Sequence, residues 1–253
     1  MRRLPIVKLT LATLVLATVI SVIMVPIRWN GQQASTAAVE IDRLLDVMIV
    51  LSAIVFSIVV VALAYALIRF RAKPGDESDG EPIHGNTRLE IIWTVIPTII
   101  VLFAAGYSWV VLDDIEARDA DRMTVNVFSQ QFTWNFTYPD DDKHSPDELH
   151  VPVGQQIEFK LHAFDVIHSF WVPEWRIKKD NVPGIVTRAI VTPDREGTYQ
   201  LICTELCGYG HSTMRATVVV ESQEAFDQWL EEQQEIPDAY TQQAALTRDP
   251  DYD

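Results

Sequence analysis

The sequence predicts a membrane-anchored protein whose second half forms an all-β sandwich outside the membrane. Three uncharged apolar runs, at residues 9–27, 47–68 and 91–112, occupy the first half of the chain. A helix needs about 20 such residues to cross a hydrocarbon core about 30 Å thick. The second half carries short segments rich in β-branched and aromatic residues, and both cysteines of the chain lie there, among other soft metal ligands. These observations predict a transmembrane hairpin at 40–112 and a separate outer domain.

The first apolar run has two interpretations. Arg2, Arg3 and Lys8 precede or begin it, as in the positively charged start of a secretory signal. The run is longer than a typical signal core, however, and no small-x-small cleavage site follows it before Ala34. Residues 1–30 are therefore predicted to be either a signal peptide or an extra transmembrane helix.

Basic residues predict the orientation of the hairpin. Arg69, Arg71 and Lys73 follow the second apolar run, and Arg88 precedes the third. Loops with an excess of Lys and Arg remain in the cytoplasm. Residues 69–90 are therefore predicted to be cytoplasmic, and the rest of the chain is predicted to return to the periplasmic side of the cell membrane.

The outer half is strongly acidic. It holds 27 acidic and 11 basic residues after Leu112, which leaves a net charge near −16. Such a charge attracts basic partners and argues against binding to nucleic acid. For the C-terminal part of the chain, solubility alone is an equally good explanation.

Strand-like segments continue through most of the outer half. They lie at 123–128, 132–138, 148–151, 156–164, 187–192, 197–203 and 213–220, separated by Pro, Gly and Asp. This spacing is typical of a β-sandwich or a small barrel. Residues 221–235 are predicted to form a helix capped by Ser222, and residues 236–253 a polar tail. The domains are therefore predicted at 113–221 and 222–253.

A soft-ligand cluster is the most specific motif. Cys203, Cys207, His211 and Met214 follow one another at spacings of four, four and three residues. Thiolate, imidazole and thioether together favour copper over magnesium or calcium. A disulfide between the cysteines is the weaker alternative, because it would leave the histidine and methionine unexplained. His168, in an earlier segment, is predicted to supply a second imidazole.

Four stretches resemble one known family. They are HGNTRLEIIWTVIP from His84, DVIHSFWVPE from Asp165, KKDNVPG from Lys178, and the cysteine cluster. Together they are similar to subunit II of the bacterial cytochrome c oxidases over about residues 40–220. The resemblance implies a two-helix transmembrane hairpin followed by a cupredoxin-like domain.

The resemblance also implies a binuclear copper centre. Two thiolates would bridge the metals, each imidazole would bind one copper, and a thioether and a backbone carbonyl would be weak ligands. The carboxylate of the carbonyl-bearing residue would face a magnesium ion shared with subunit I, since a hard cation suits carboxylate oxygen. The implied metal residues are His168, Cys203, Glu205, Cys207, His211 and Met214.

Further roles follow from the resemblance, each beside a plainer alternative. Glu90 would lie at the entrance of a proton channel, or serve only as an acidic helix start. The family has a tryptophan that accepts the electron where this chain has Phe132, and Trp134 is either its replacement or a core aromatic. Asp165 and Glu174 would help to dock cytochrome c, or be plain surface charges.

The resemblance therefore implies the electron-accepting subunit of an oxidase. Cytochrome c, or a small cupredoxin, would reduce the copper pair, and haem in subunit I would reduce oxygen to water, coupled to proton pumping. Two alternatives remain open. The first is the copper-free structural subunit II of a quinol oxidase, and the second is a stand-alone membrane-tethered copper carrier. The sequence leaves the haem types and the identity of the donor undetermined.

Overall fold

The computed structural model describes residues 5–72, 74–75, 82 and 84–249. Arg2, Arg3 and Lys73, used above to predict topology, lie outside these residues, as does the end of the polar tail at 250–253. The chain divides into two compact units. One comprises Met1–Ile27 and Asp42–Leu112, and the other comprises Arg28–Ile41 and Asp113–Asp253.

The first unit is helical. Helix α1 spans Ile6–Met24, α2 spans Thr36–Arg69 and α3 spans Thr87–Ile115. By length and composition each is apolar enough to cross a membrane, and few of its side chains are buried within the protein. Apolar helices of this length are stable in lipid because all their backbone groups bond internally. The predicted hairpin is thus present as helices, and the N-terminal apolar segment is a third helix.

Helix α3 begins with a reciprocal cap. The Asn86 side chain accepts a hydrogen bond from the Leu89 N–H at 3.2 Å, and the Glu90 carboxylate accepts one from the Asn86 N–H at 3.2 Å. Two N–H groups that lack helical partners are thereby satisfied, as in a capping box. Glu90 therefore has a structural role at the start of the helix, whatever else it does.

The second unit is a sandwich of two mixed sheets. One sheet has the order β11-β3-β2-β1-β5-β8 and the other has the order β4-β10-β9-β6-β7. The strands are β1 (Met123–Gln130), β2 (Thr133–Tyr138), β3 (Lys143–Pro146), β4 (Glu148–Pro152), β5 (Ile157–Ala163), β6 (His168–Val172), β7 (Ile177–Asn181), β8 (Thr187–Val191), β9 (Gly197–Cys203), β10 (Arg215–Glu221) and β11 (Gln234–Glu235).

Aromatic side chains fill the space between the sheets. Phe159 and Phe170 lie on different sheets with ring centroids 5.1 Å apart, and Trp134 packs edge-on against Phe170 at 6.2 Å. All three are fully buried. Such rings bury large apolar areas and prefer tilted or edge-on contacts, so they fix how the sheets face each other.

The strand prediction was correct for seven segments and missed four. Strands β3, β6, β7 and β11 have no alternating apolar pattern long enough to detect. In β7, for example, the central residues Lys178, Lys179 and Asp180 are all exposed. Strands β7 and β11 lie at sheet edges, where little hydrophobic periodicity is expected because one or both faces meet water. Strands β3 and β6 lie inside their sheets but are only four and five residues long.

The C-terminal region is more ordered than predicted. Helix α4 spans Gln223–Glu231, shorter than the predicted 221–235, and Ser222 caps it by accepting the Ala225 N–H. Residues predicted as a polar tail form helix α5, Asp238–Leu246, whose Gln243 donates a hydrogen bond to the backbone of Ala163. The described part of the tail thus packs on the sandwich.

The segment before α2 also belongs to the sandwich unit. Ser35 is fully buried and donates to the Trp175 carbonyl at 2.9 Å, and the Ala34 N–H donates to the Glu174 carbonyl at 3.0 Å. The Arg176 guanidinium donates to backbone oxygens of residues 30–32. The sequence assigned this segment no such role, since it has no strand or helix pattern.

A buried carboxylate on β5 forms ion pairs with an arginine on β8 and with one that directly precedes β1. Glu158, on β5, is 2% exposed and pairs with Arg188 at 2.7 Å and with Arg122 at 3.0 Å. Arg188 also pairs with Asp249 beyond the last helix. Burial alone would raise the pKa of Glu158, but its hydrogen bonds to the two arginines outweigh burial and lower the pKa.

Candidate metal centre

Two loops at one end of the sandwich hold the predicted ligands. Cys203 is the last residue of β9, Met214 directly precedes β10, and the Cys203 N–H donates to the Met214 carbonyl at 3.1 Å. His168 begins β6, which pairs with β9 so that Phe170 lies opposite Cys203. The pairing of these strands is therefore what brings the distant histidine to the cysteine loop.

The donor atoms converge around the two sulfur atoms. Cys203 Sγ and Cys207 Sγ are 3.8 Å apart. His168 Nδ1 lies 3.9 Å from Cys203 Sγ, and His211 Nδ1 lies 3.7 Å from Cys207 Sγ. Met214 Sδ is 3.9 Å from Cys207 Sγ. Each thiol thus has its own imidazole neighbour, and the thioether completes a soft-donor set.

Glu205 lies between the two cysteines, and its backbone carbonyl is close to one of them. Its backbone carbonyl lies 3.3 Å from Cys203 Sγ, while the residue as a whole is exposed. The carbonyl thus lies among the donor atoms, and a magnesium role for the carboxylate stays a prediction.

The cysteines are free thiols. Their sulfur separation of 3.8 Å is far above the roughly 2.0 Å of a disulfide bond. Both are 3% exposed, and His168 and Met214 are fully buried. The alternative of a disulfide between Cys203 and Cys207 is therefore not what the structure contains.

Ionisation of the two thiols is unequal. Burial raises the pKa of Cys203, but hydrogen bonding to His168 and to the backbone at Ser169 and Glu205 outweighs it, so the pKa is lowered. Burial raises the pKa of Cys207, and the neighbouring Cys203 charge raises it further. Like charges this close disfavour a second ionisation in the absence of a cation between them. A bound cation removes that repulsion, which suits a metal-bridging pair.

Asp165 positions His168. Its carboxylate accepts a hydrogen bond from His168 Nε2 at 2.9 Å and from the N–H groups of Gln131 at 2.8 Å and Val166 at 2.7 Å. A proton held on Nε2 leaves Nδ1, the nitrogen beside Cys203, free to bind metal. Burial would raise the pKa of Asp165, but the His168 hydrogen bond and the two N–H groups lower it.

Removing this carboxylate tests its positioning role. Asp165→Ala is expected to weaken copper binding by about 10–100-fold, the usual effect of losing a hydrogen bond to a ligating histidine. Asp165→Asn keeps an acceptor oxygen and should lose much less. Competition with a chelator of known copper affinity measures both, and Asp140→Ala, at an exposed acid, is the control. An unchanged affinity in Asp165→Ala would contradict the role.

The predicted electron-accepting aromatics differ in accessibility. Phe132 is half-buried against the cysteine loop, where a Cβ added at Gly210 would lie 2.6 Å from its ring. The side chain of its neighbour Gln131 donates to the Cys207 carbonyl. Trp134 is fully buried, 6.3 Å from the His168 ring. It is therefore a core aromatic that no external partner can touch.

The two predicted docking acids have different surroundings. Asp165 is bound to His168, as described. Glu174 is half-buried, with one carboxylate oxygen buried and the other near Gly31, at 3.4 Å from a Cβ built there. Asp165 is thus exposed although it is hydrogen-bonded, whereas Glu174 is only partly accessible. A role for either acid in docking stays a prediction.

The residues present fit a copper site. His168, Cys203 and Cys207 place one donor atom each within 4.8 Å of one another, and all three are buried. Sulfur and imidazole donors in a dry pocket suit copper, and they suit magnesium poorly. The fold and this site define a class: membrane-anchored proteins with an outer cupredoxin-like domain.

Comparison with known proteins identifies the family. Residues 25–111 match the model "Cytochrome C oxidase subunit II, transmembrane domain", and residues 144–223 match "Cytochrome C oxidase subunit II, periplasmic domain". The chain belongs to the cytochrome c oxidase subunit II family. It is thus a subunit of a haem-copper oxidase complex, located in the membrane with its C-terminal domain outside.

Named relatives include two kinds of oxidase subunit. Cytochrome c oxidase subunit 2 of Thermostichus vulcanus is 32% identical, over 82% of this chain and 79% of the relative. Quinol oxidase subunit 2 of Bacillus cereus is 31% identical, over 83% of this chain and 74% of the relative. The crystal structure of the periplasmic domain of CoxB of Bradyrhizobium japonicum aligns with a TM-score of 0.43 and 27% identity, over 45% of this chain and 94% of that one.

Proposed function

We propose that the chain is the electron-accepting subunit of a cytochrome c oxidase and holds a binuclear copper centre. The observation that carries the proposal is the pair of buried free thiols 3.8 Å apart, each with an imidazole nitrogen within 4 Å. A copper pair bridged by two thiolates would supply reversible one-electron chemistry with little change in bond length. The ligands would be His168, Cys203, the Glu205 carbonyl, Cys207, His211 and Met214.

The protein's contribution is a rigid, dry cage. The loop bearing both cysteines is closed between β9 and β10 by the Cys203–Met214 backbone hydrogen bond, and His168 is held by Asp165. Burial keeps water away from the sulfur atoms. Donors that are already in place need little rearrangement when the charge of the centre changes, which favours fast electron transfer.

Glu205 is proposed to link this subunit to its neighbour. Its exposed carboxylate is a hard donor suited to magnesium, whereas its carbonyl faces the cysteines. We place a magnesium ion between this carboxylate and subunit I. The electron would then continue from the copper pair to haem in subunit I, where oxygen is reduced and protons are pumped.

Cytochrome c or a small cupredoxin is the proposed donor, because the outer domain is acidic and attracts basic proteins. We further propose that α2 and α3 both cross the cell membrane. Helix α1 is proposed either to cross it as well or to be removed as a signal peptide. The family match to residues 25–111, which begins after α1, agrees with a hairpin of two helices.

The alternatives differ in the metal and in the partners. A quinol oxidase subunit needs no copper ligands, so a set of soft donors, most of them buried, argues for the cytochrome c type. A stand-alone copper carrier would not need the Glu90 segment of the hairpin. The quinol oxidase relatives make the first alternative the more serious one.

Electron paramagnetic resonance of the purified, copper-loaded chain in detergent tests the proposal. One unpaired electron shared equally by two copper nuclei gives a seven-line hyperfine pattern. That pattern is the expected result. A four-line spectrum of mononuclear copper, or a protein that retains no copper, would count against the binuclear centre and favour the alternatives.

The proton role of Glu90 is tested by Glu90→Gln. Glutamine also serves in a capping box, so the start of α3 should be retained while the charge is lost. Turnover of the oxidase complex is expected to slow while the copper spectrum stays normal. Asn86→Ala, which removes the opposite half of the cap but no charge, is the control for helix disturbance. Unaltered turnover in Glu90→Gln would remove the proton role.

A further inference from the structure

Exposed apolar side chains of the outer domain are concentrated at the metal loops. Among the described residues from 113 to 249, six large apolar side chains are exposed, and four of them lie within two residues of a proposed copper ligand. The six are Val166, Ile167, Ile185, Leu206, Tyr209 and Leu246. Scattered exposed apolar residues are normal, but a concentration of them marks a contact surface.

Tyr209 is the most accessible of these side chains. It is fully exposed, with a relative accessibility of 104%, in the middle of the loop that connects Cys207 to His211. The glycines on either side of it, Gly208 and Gly210, both lie against the Phe132 ring. The loop is therefore seated on Phe132, while Tyr209 is left in solvent two residues from a ligand on each side.

The other aromatics near the centre are less suitable for contact. Trp134 is fully buried in the core, and Phe132 is half-buried under the glycines of the loop. A protein that approaches the centre therefore meets Tyr209 before either of them. Large aromatic side chains at the centre of an interface commonly carry much of its binding energy.

The charges near this surface favour a partner with an apolar contact area. Asp165, the exposed acid next to Val166 and Ile167, keeps its charge, but its oxygens already accept hydrogen bonds from His168 and two backbone N–H groups, which leaves fewer lone pairs for a direct ion pair with a partner. The acidity of the outer domain as a whole still attracts a basic protein from a distance. The combination suits long-range attraction by charge followed by apolar contact at the centre.

We propose that Tyr209 is the contact residue through which the donor delivers its electron, together with the apolar surface of Val166 and Ile167. The partner is a soluble, basic redox protein that exposes the edge of its redox group within an apolar patch. Each transfer oxidises the donor by one electron and reduces the copper pair by one, and no covalent bond forms or breaks. The inference rests on the proposed function and moves the contact away from Phe132 and Trp134.

The test uses the intact oxidase complex with Tyr209→Ser and Tyr209→Phe. The probe is reduced cytochrome c of the basic mitochondrial type, and hexaammineruthenium(II) is the small reductant that needs no protein interface. Tyr209→Ser is expected to weaken cytochrome c binding and slow reduction by about tenfold or more, as for a central interface aromatic. Reduction by hexaammineruthenium(II) and the copper spectrum should stay unchanged, and Tyr209→Phe should stay close to the unsubstituted complex.

Controls separate this inference from the function on which it rests. Leu246→Ser removes another exposed apolar side chain, on α5, and should leave cytochrome c binding unchanged. If Tyr209→Ser binds and reacts normally, or if Trp134→Phe slows cytochrome c while Tyr209→Ser does not, the contact assignment is wrong. If the unsubstituted complex lacks the shared-electron copper spectrum, the proposed function itself fails.

Ionic strength gives a further check. The unsubstituted complex and Tyr209→Ser should differ in affinity for cytochrome c by a similar factor at low and at high ionic strength, because the lost contact is apolar.

Discussion

Cys207→Ser is expected to abolish the shared-electron copper spectrum and to reduce electron input from cytochrome c to the background rate. Cys207 Sγ lies 3.7 Å from His211 Nδ1 and 3.9 Å from Met214 Sδ. A hydroxyl oxygen is a harder and weaker ligand for copper than a thiolate. With a single sulfur bridge left at Cys203, the two metals would no longer be equivalent.

The fold should survive this substitution. Serine is nearly the same size as cysteine, and a buried hydroxyl that lacks a full set of partners costs about 1–3 kcal/mol. Paramagnetic resonance and copper stoichiometry measure the site, and far-ultraviolet circular dichroism measures the fold. Ser212→Ala, at an exposed position in the same loop, serves as the matched control. A Cys207→Ser protein with an unaltered seven-line spectrum would disprove bridging by this residue.

Glu158→Gln is expected to lower the free energy of unfolding of the outer domain by about 3 kcal/mol, the low end for a broken buried ion pair, because Arg188 loses this partner but keeps Asp249. Glu158 is 2% exposed, and the Arg188 side chain is 8% exposed. Glutamine fits the space but carries no charge for Arg188 or Arg122. Denaturant unfolding of the full chain in detergent, followed by tryptophan fluorescence, measures the change. Glu196→Gln, at an exposed acid on the β8–β9 turn, should change stability little.

The same comparison has a defined pH dependence. The folded pKa of Glu158 is lowered, so the ion pair contributes fully above the unfolded pKa of a glutamate, about 4.3. That contribution is lost as the pH falls through the lower folded pKa. The stability difference between Glu158→Gln and the unsubstituted chain should therefore be constant near neutral pH and narrow in acid. A difference that stays constant down to strongly acidic pH would contradict the pairing.

The sequence predicted those parts of the molecule that have a local pattern. Apolar runs of membrane-spanning length indicated the helices, and alternating segments indicated seven strands. The cysteine loop was recognisable because its ligands lie within twelve residues of one another, from Cys203 to Met214. His168 was added on chemical grounds, and the pairing of β6 with β9 explains why it is near.

Features that depend on long-range contacts were not predictable in this way. Nothing local to Asp165 distinguishes a carboxylate that holds His168 from one that faces solvent. The segment of residues 28–35 has no periodicity, yet the backbone bonds of Ala34 and the Ser35 hydroxyl fix it to the sandwich. The sequence left Trp134 open between an electron-accepting aromatic and a core aromatic, and only the packing of two sheets around it shows that it is buried.

The contact between Phe132 and the glycines of the copper loop has a consequence for how this protein can change. A Cβ at Gly208 or Gly210 would lie within about 3.3 Å of the Phe132 ring. A larger residue at either glycine therefore fits only if the Phe132 side chain moves or is replaced by a smaller one. The hairpin after β1 and the ligand loop must therefore vary together. An engineer who wishes to alter the loop for a new donor would have to redesign residues 132, 208 and 210 as a single unit.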